Sequence, residues 1–269
     1  MPELPEVETT LRGLQPHLLG RQIARIDIRQ PKLRWPVPDE VYTLKGATIL
    51  SLQRRAKYLL MHTDRGHLIW HLGMSGSMRM LPAQQPGTRH EHISILFDNE
   101  NSLRYRDPRR FGFLLFTDVN PLEHKLLSPL GPEPLSDDFN ALYLLQQCRN
   151  RKTAIKNLIM NSHIVVGIGN IYACESLFLS GINPNTRAGR ISLRRLENLV
   201  SAIRRVLGQA ILAGGTTLQD FSQTDGQPGY FAQSLNVYGN RDSCPQCGQI
   251  IKRITQGQRS TYYCTHCQN

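Results

Sequence analysis

Four of the six cysteines fall in the last 26 residues, as Cys244-Pro-Gln-Cys247 and, sixteen residues later, Cys264-Thr-His-Cys267. Each pair can set two thiolates about 2.3 Å from one tetrahedral Zn²⁺. Four thiolates leave no position for water, so the pattern asks for one structural zinc, not a catalytic one. His266 could stand in for a cysteine, and disulfides or free thiols are the other chemistries open to the set. So short a module has little core, and metal binding, on the order of 10–16 kcal/mol, would supply most of its folding energy. Lys252, Arg253, Arg259, Tyr262 and Tyr263 lie between the pairs and offer a face for nucleic acid.

The chain opens MPELPEVETT. Removal of the initiator Met, the usual processing before a small residue, would expose the secondary amine of Pro2. An α-amino group titrates near 7.7–8.0 against about 10.4 for lysine, so roughly a tenth of it is unprotonated at pH 7. Its adduct with a sugar aldehyde is an iminium, charged without protonation and a good electron sink. Glu3 is adjacent and could move protons if burial raises its pKa. Taken alone, Pro-Glu at a terminus carries no such meaning. Pro5, Glu6 and Glu8 have a plainer reading as the first turn of a helix, with Val7, Leu11, Leu14 and Leu18 on one stripe. Pro16 should bend that helix or split it.

Three internal stretches carry weaker signals. In GIGN, 167–170, two glycines allow close backbone approach, and the next helix would point N–H groups at an anion, with Asn170 as a further donor. A tight corner between helices explains the same residues. DPRRFG, 107–112, sets two arginines beside Phe111, and HLGMSG, 71–76, sets Met74 between glycines. Either hydrophobe could be core. At loop tips on a basic surface each could wedge into a base stack.

The formal charge of +11 and pI near 9.7 favour a polyanionic partner. RQPKLRW, QRRAKY, LRYRDPRRFG and CRNRKTAIK interleave cations with aromatic and apolar side chains. No apolar run reaches the roughly 18 residues of a membrane span, and the N-terminus lacks a signal-peptide layout, so the expected location is cytoplasmic. Cys148 and Cys174 read as buried, inert thiols.

These residues must be held by two kinds of structure. Residues 20–120 predict seven short strands, QIARIDI, ATILSLQ, AKYLLMH, HLIWHLG, HISILF, SLRYR and FGFLLF, separated by turn signals, and hence a sandwich or barrel. LGPEPLSDD, 130–138, reads as a linker. Beyond it the period is helical. Ser136 is expected to cap a helix carrying Phe139, Leu142 and Leu145. Ile155, Leu158 and Ile159 form a second stripe, and a third helix follows GIGN. A fourth runs from Ser192 to Gly214-Gly215 with Leu193, Leu196, Val200, Ile203 and Leu207 inward. Residues 214–231 read as a long loop.

PELPEVE, RRAKYLL, HLGMSG, DPRRFG, VVGIGNIYA, GGTTL, DGQPGYF and the terminal four-cysteine finger occur here in one order. In this the sequence resembles bacterial formamidopyrimidine-DNA glycosylase almost end to end. The resemblance implies an α+β multidomain fold. An N-terminal β-sandwich with flanking helices would span 1–130. A helix–two-turns–helix domain with a lesion-covering loop would span 131–235, and the zinc finger 236–269. It implies a monomeric base-excision repair enzyme that removes 8-oxoguanine and formamidopyrimidines from double-stranded DNA lying between the two halves, and then cuts the strand by β- and δ-elimination.

Carried over residue by residue, Pro2 is the nucleophile and Glu3 the acid/base. Lys57 and Arg259 serve elimination and phosphate contact. Met74, Arg109 and Phe111 form the wedge. Asn170 and its helix start grip a phosphate, and His90 and Arg151 are further DNA contacts. Gln219, Gln227 and Asn161 depart from residues frequent in relatives. Two other readings are an endonuclease VIII-like glycosylase for oxidised pyrimidines and a zinc-ribbon DNA-binding protein without catalysis.

Overall fold

The computed structural model describes residues 2–216, 223–239 and 242–269. Met1 and Gln219, both singled out in the sequence, lie outside the described residues. The chain forms two compact units. One runs to Ser128 and takes in Ala213–Ala232; the other comprises Pro129–Leu212 and Gln233–Asn269.

The first unit begins with α1, Leu4–Leu18, which continues unbroken through Pro16. The expected split does not occur, and the helix closes one turn later where the Leu19 N–H donates to Gln15 O. Eight antiparallel strands follow in two sheets. One has the order β1 (Ile23–Ile28), β6 (Glu91–Phe97), β7 (Asn101–Arg106), β5 (Ser77–Pro82). The other has β2 (Ile49–Arg55), β3 (Tyr58–Thr63), β4 (Gly66–His71), β8 (Phe113–Thr117). Their inner faces meet over Ile26, Ile93, Ile95, Leu103 and Tyr105 on one side and Leu52, Leu59, Met61, Leu68, Trp70 and Leu114 on the other. Val7, Leu11, Leu14 and Leu18 of α1 join this core. The sequence predicted seven strands. It missed β5, whose SMRMLP has no β-branched or aromatic residue to mark it.

The described residues 213–216 and 223–232 group with the first unit. The Thr216 N–H donates to the buried Glu6 carboxylate at 2.8 Å, and Thr224 sits against Gly13 of α1.

In the second unit α2, Ala141–Cys148, is capped by the Asn140 side chain, which accepts the Tyr143 N–H, and not by Ser136. Starting the helix four residues later turns its stripe: Leu144 and Cys148 are buried, whereas Leu142 is 62% exposed. Phe139 is buried ahead of the helix. Next come α3 (Ile155–Ile159), α4 (Asn170–Leu179) and α5 (Leu193–Leu212); α5 buries Leu196, Val200, Ile203 and Leu207 as its periodicity predicts, whereas Leu193, at the helix start, is only half-buried. Cys148 and Cys174 are buried, and desolvation pushes the Cys148 thiol up to about 11. The unit ends in the hairpin β9 (Lys252–Gln256) and β10 (Arg259–Tyr263). Its two turn residues, Gly257 and Gln258, both have positive φ, as a tight hairpin with the right twist requires. Among the described residues no helix is long and apolar enough to cross a membrane.

Candidate active site and nucleic-acid interface

Pro2 and Glu3 are both buried at the start of α1. Glu3 is the helix N-cap in a reciprocal box. Its carboxylate accepts the Glu6 N–H, and its own N–H donates to Glu6 Oε2 at 2.7 Å. The other Glu6 oxygen takes the Thr216 N–H. The first turn of α1 and the stem of the 213–232 segment therefore share one carboxylate.

Lys57 sits in the turn between β2 and β3, next to Ala56, a non-glycine residue at φ 57°. The hairpin is fastened to α1 by Arg54, whose Nε donates to Glu8 Oε2 at 2.8 Å and whose Nη1 donates to Ala56 O. Burial alone would raise the Glu8 pKa. Hydrogen bonds and charge from Arg54 and Arg12 outweigh it and hold the carboxyl below its usual range.

His71, beside this hairpin, was not singled out in the sequence although it opens HLGMSG. Its ring stacks on Phe113 at 5.2 Å and meets Tyr58 edge-on. Burial first, then the charges of Lys57 and Arg34, drive its pKa down to about 4. It is therefore neutral at pH 7. Nδ1 accepts the Gly73 N–H at 3.0 Å, which leaves the ring proton on Nε2.

Met74 is half-buried at the tip of the turn joining β4 to β5, and Ser75 beneath it is buried. In the loop joining β7 to β8, Arg109 and Phe111 are exposed, and the Arg109 guanidinium lies 4.9 Å from the Phe111 ring centroid. Pro108 and Arg109 occupy the middle of a turn closed by the Arg110 N–H on Asp107 O. His90, at φ 70°, accepts the Asp107 N–H on its carbonyl oxygen. Desolvation and the charges of Arg89, Arg106 and Arg110 lower the pKa of its ring.

In the second unit Arg151 is exposed beyond α2, and Arg259 is exposed at the start of β10. Asn170 begins α4, but its side chain is engaged within the unit. Oδ1 accepts from Lys156 Nζ at 2.6 Å, and Nδ2 donates to Ser260 O at 2.8 Å. Lys156 is wholly buried and also donates to Thr261 Oγ1 at 2.6 Å, tying α3 and α4 to β10. The buried Glu175 carboxylate accepts four hydrogen bonds from residues 236–238, which lead into the finger. Sequence reasoning missed Lys156 and Glu175, since their partners are 14 to 105 residues away.

The four cysteine sulfurs lie within 4.8 Å of one another, with Cys244–Cys267 at 3.8 Å and Cys247–Cys264 at 3.5 Å. Sulfurs about 2.3 Å from a tetrahedral zinc are spaced by about 3.8 Å, so the set fits the ion. In each knuckle an N–H two or three residues on donates to a cysteine sulfur, Gln246 to Cys244 and Cys267 to Cys264. The finger binds one structural zinc.

A β-sandwich unit, a helical unit and a zinc module, each presenting cations at loop tips, define a zinc-finger nucleic-acid-binding protein. Three family models match: the formamidopyrimidine-DNA glycosylase N-terminal domain over residues 1–114, the helix–two-turns–helix domain of the same enzymes over 130–222, and the zinc finger found in these glycosylases and in IleRS over 243–269. The formamidopyrimidine-DNA glycosylase of Alcanivorax borkumensis is 55% identical over 269 residues, covering 100% of both chains. That of Hydrogenovibrio crunogenus is 56% identical, covering 100% of this chain and 96% of the relative. Among solved structures, the Lactococcus lactis enzyme in complex with DNA containing an abasic site superposes with a TM-score of 0.92 at 32% identity, covering 99% of each chain. The Thermus thermophilus protein gives 0.89 at 35%, covering 99% and 98%. The chain belongs to the formamidopyrimidine-DNA glycosylase family, DNA glycosylases of base-excision repair.

Proposed function

We propose that this protein is a monomeric, bifunctional DNA glycosylase and abasic-site lyase that excises oxidised purines, 8-oxoguanine and formamidopyrimidines, from duplex DNA. The observation that carries the reading is the setting of Pro2 and Glu3. Both are buried, and Glu3, next to Pro2, is held at the start of α1 by a carboxylate that also holds the stem of the 213–232 segment. Further support comes from a Lactococcus lactis relative, a variant of which was solved in complex with DNA containing Fapy-dG.

In the form lacking Met1, the Pro2 nitrogen attacks C1′ and the base departs with the glycosidic electron pair, taking up a proton. The Pro2 nitrogen loses its own proton, Glu3 gives one to O4′, and the C1′–O4′ pair passes to that oxygen. The result is an iminium between Pro2 and C1′. It accepts electrons as a proton leaves C2′ and the 3′ phosphate is expelled. A second proton loss, from C4′, expels the 5′ phosphate. Lys57 and Arg259 serve these eliminations and contact phosphate.

Met74, Arg109 and Phe111 enter the stack where the base leaves, offsetting an unstacking cost of a few kcal/mol. His90 and Arg151 add backbone contacts. At Asn170 the phosphate meets the helix start, while the side chain holds the finger hairpin.

The test is borohydride trapping on an 8-oxoguanine:cytosine duplex, with the modified residue identified by mass spectrometry. The expected adduct is on Pro2. An adduct confined to an internal lysine overturns the assignment, no adduct supports the non-catalytic reading, and preference for a thymine glycol duplex supports the pyrimidine-specific one.

A further inference from the structure

The two loops proposed to enter the base stack share a topological property. The loop carrying Met74 leaves β4 in one sheet and enters β5 in the other, and the loop carrying Arg109 and Phe111 leaves β7 and returns to β8. The strands they join are neighbours at both ends, with His71 opposite Phe113 and Ser77 opposite Arg106. Both loops therefore cross between the sheets side by side, and something must fix their spacing.

That link is Asp107, whose side chain is wholly inaccessible to solvent. Oδ1 accepts the Ser75 hydroxyl at 2.7 Å. Oδ2 accepts the Gly112 N–H at 2.8 Å and the Tyr105 hydroxyl at 3.1 Å. Ser75 Oγ in turn accepts the Arg109 N–H at 3.1 Å, so one hydroxyl bridges the carboxylate of one loop and the wedge residue that follows it. Backbone contact reinforces the link. A Cβ on Gly73, at φ 66°, would collide with Gly112 N, and one on Gly112 would collide with the Tyr105 hydroxyl. Burial and the Asp107 charge push the Tyr105 phenol well above its ordinary range, so it stays a donor. Both carboxylate oxygens of Asp107 are thus matched to donors, and two of the three donors, Ser75 and Gly112, belong to the two loops.

We infer that Asp107 and Ser75 are positioning residues for strand entry. They fix Met74 of one loop against Arg109 and Phe111 of the other, so the wedge enters the duplex as one preformed body. The inference rests on the wedge reading above. It predicts that loosening the link harms only the step that needs a stacked duplex.

The experiment compares excision from an 8-oxoguanine:cytosine duplex with cleavage of a single-stranded oligonucleotide bearing a preformed abasic site, which has no opposing strand to part. Ser75→Ala and Asp107→Asn are measured beside Met74→Ala, Arg109→Ala and Phe111→Ala. Ser75→Ala removes one oxygen atom and keeps the volume, so it decides the matter if Asp107→Asn does not fold. The expected result for Ser75→Ala and Asp107→Asn is a loss of at least tenfold on the duplex and less than twofold on the single strand, with the duplex loss shared by the three wedge variants. Wild-type duplex excision by Ser75→Ala, with the wedge variants impaired, overturns the inference and leaves the wedge reading standing. Equal losses on both substrates also overturn it, since they show a general effect on the fold. Wedge variants that excise normally from duplex overturn the wedge reading itself.

Discussion

The Glu6 carboxylate accepts the backbone N–H of Thr216 at 2.8 Å across 210 residues of chain, while its other oxygen accepts that of Glu3 at 2.7 Å. A carboxylate suits this place because it meets two backbone donors, one on each oxygen. The residue next to the proposed nucleophile and the stem of the 213–232 segment are thereby set by one side chain.

Glu6→Gln offers one acceptor oxygen and turns an NH₂ toward the other donor. It is expected to lower stability by about 1–3 kcal/mol, read as a fall in Tm. Base excision in single turnover should fall further than strand cleavage at a preformed abasic site, which has no base to cover. Equal losses would place the effect of Glu6 on Pro2 and Glu3 alone.

Acid should destabilise the protein in two stages. His71 titrates near 4 when folded and near 6.5 when free, so between these values the unfolded chain binds the extra proton. Its contribution is complete above pH 6.5 and is lost on acidification toward 4. His62, His67 and His124, all shifted down mainly by burial, act in the same direction. Glu8, held below its usual range, loses its contribution at lower pH still, as it is protonated through its folded pKa. His71→Gln should reduce the slope of stability between pH 6.5 and 4 by close to one proton, about 1.4 kcal/mol per pH unit. Urea titrations across this range measure it.

Removing the zinc should unfold the finger. The hairpin and knuckles contribute Tyr262, Ile251 and two cysteines to a small cluster that they share with Val237 and with Cys174 and Phe178 of α4. That core is far too slight to replace a metal worth on the order of 10–16 kcal/mol. A chelator is expected to release one zinc per chain and abolish duplex binding. Cys264→Ser should bind DNA no better than the chelated protein.

Arg259 is exposed at the start of β10, away from the knuckles. Arg259→Ala should weaken DNA binding alike for all sequences and reduce the slope of log K against log salt by about one, the signature of a single phosphate contact. An unchanged slope would place Arg259 off the phosphate backbone.

Much of the framework was legible in the chain because its signals are local. The Cys-x₂-Cys spacing predicts the metal site, and the four sulfurs converge as it requires. Short runs rich in β-branched and aromatic residues mark seven of the eight sandwich strands, and most of the α5 stripe faces inward as its period demands. Local signals failed where two were nearly equivalent. Ser136 and Asn140 are both good caps, and only packing selects Asn140, turning Leu142 outward. Pro16 lies so near the end of α1 that the helix needs only two more residues beyond it.

By itself the sequence determined the zinc ligands, seven of the eight sandwich strands, the family and the residues that could bear the chemistry. These follow from spacing, period and residue type, which are properties of neighbours in the chain. Only the tertiary structure decided the roles of Glu6, Asp107, Lys156 and Glu175. A buried charge is tolerable only where partners meet it. Several of those partners, such as Ser75 for Asp107 and Thr261 for Lys156, lie 32 to 210 residues away, where no local pattern reaches.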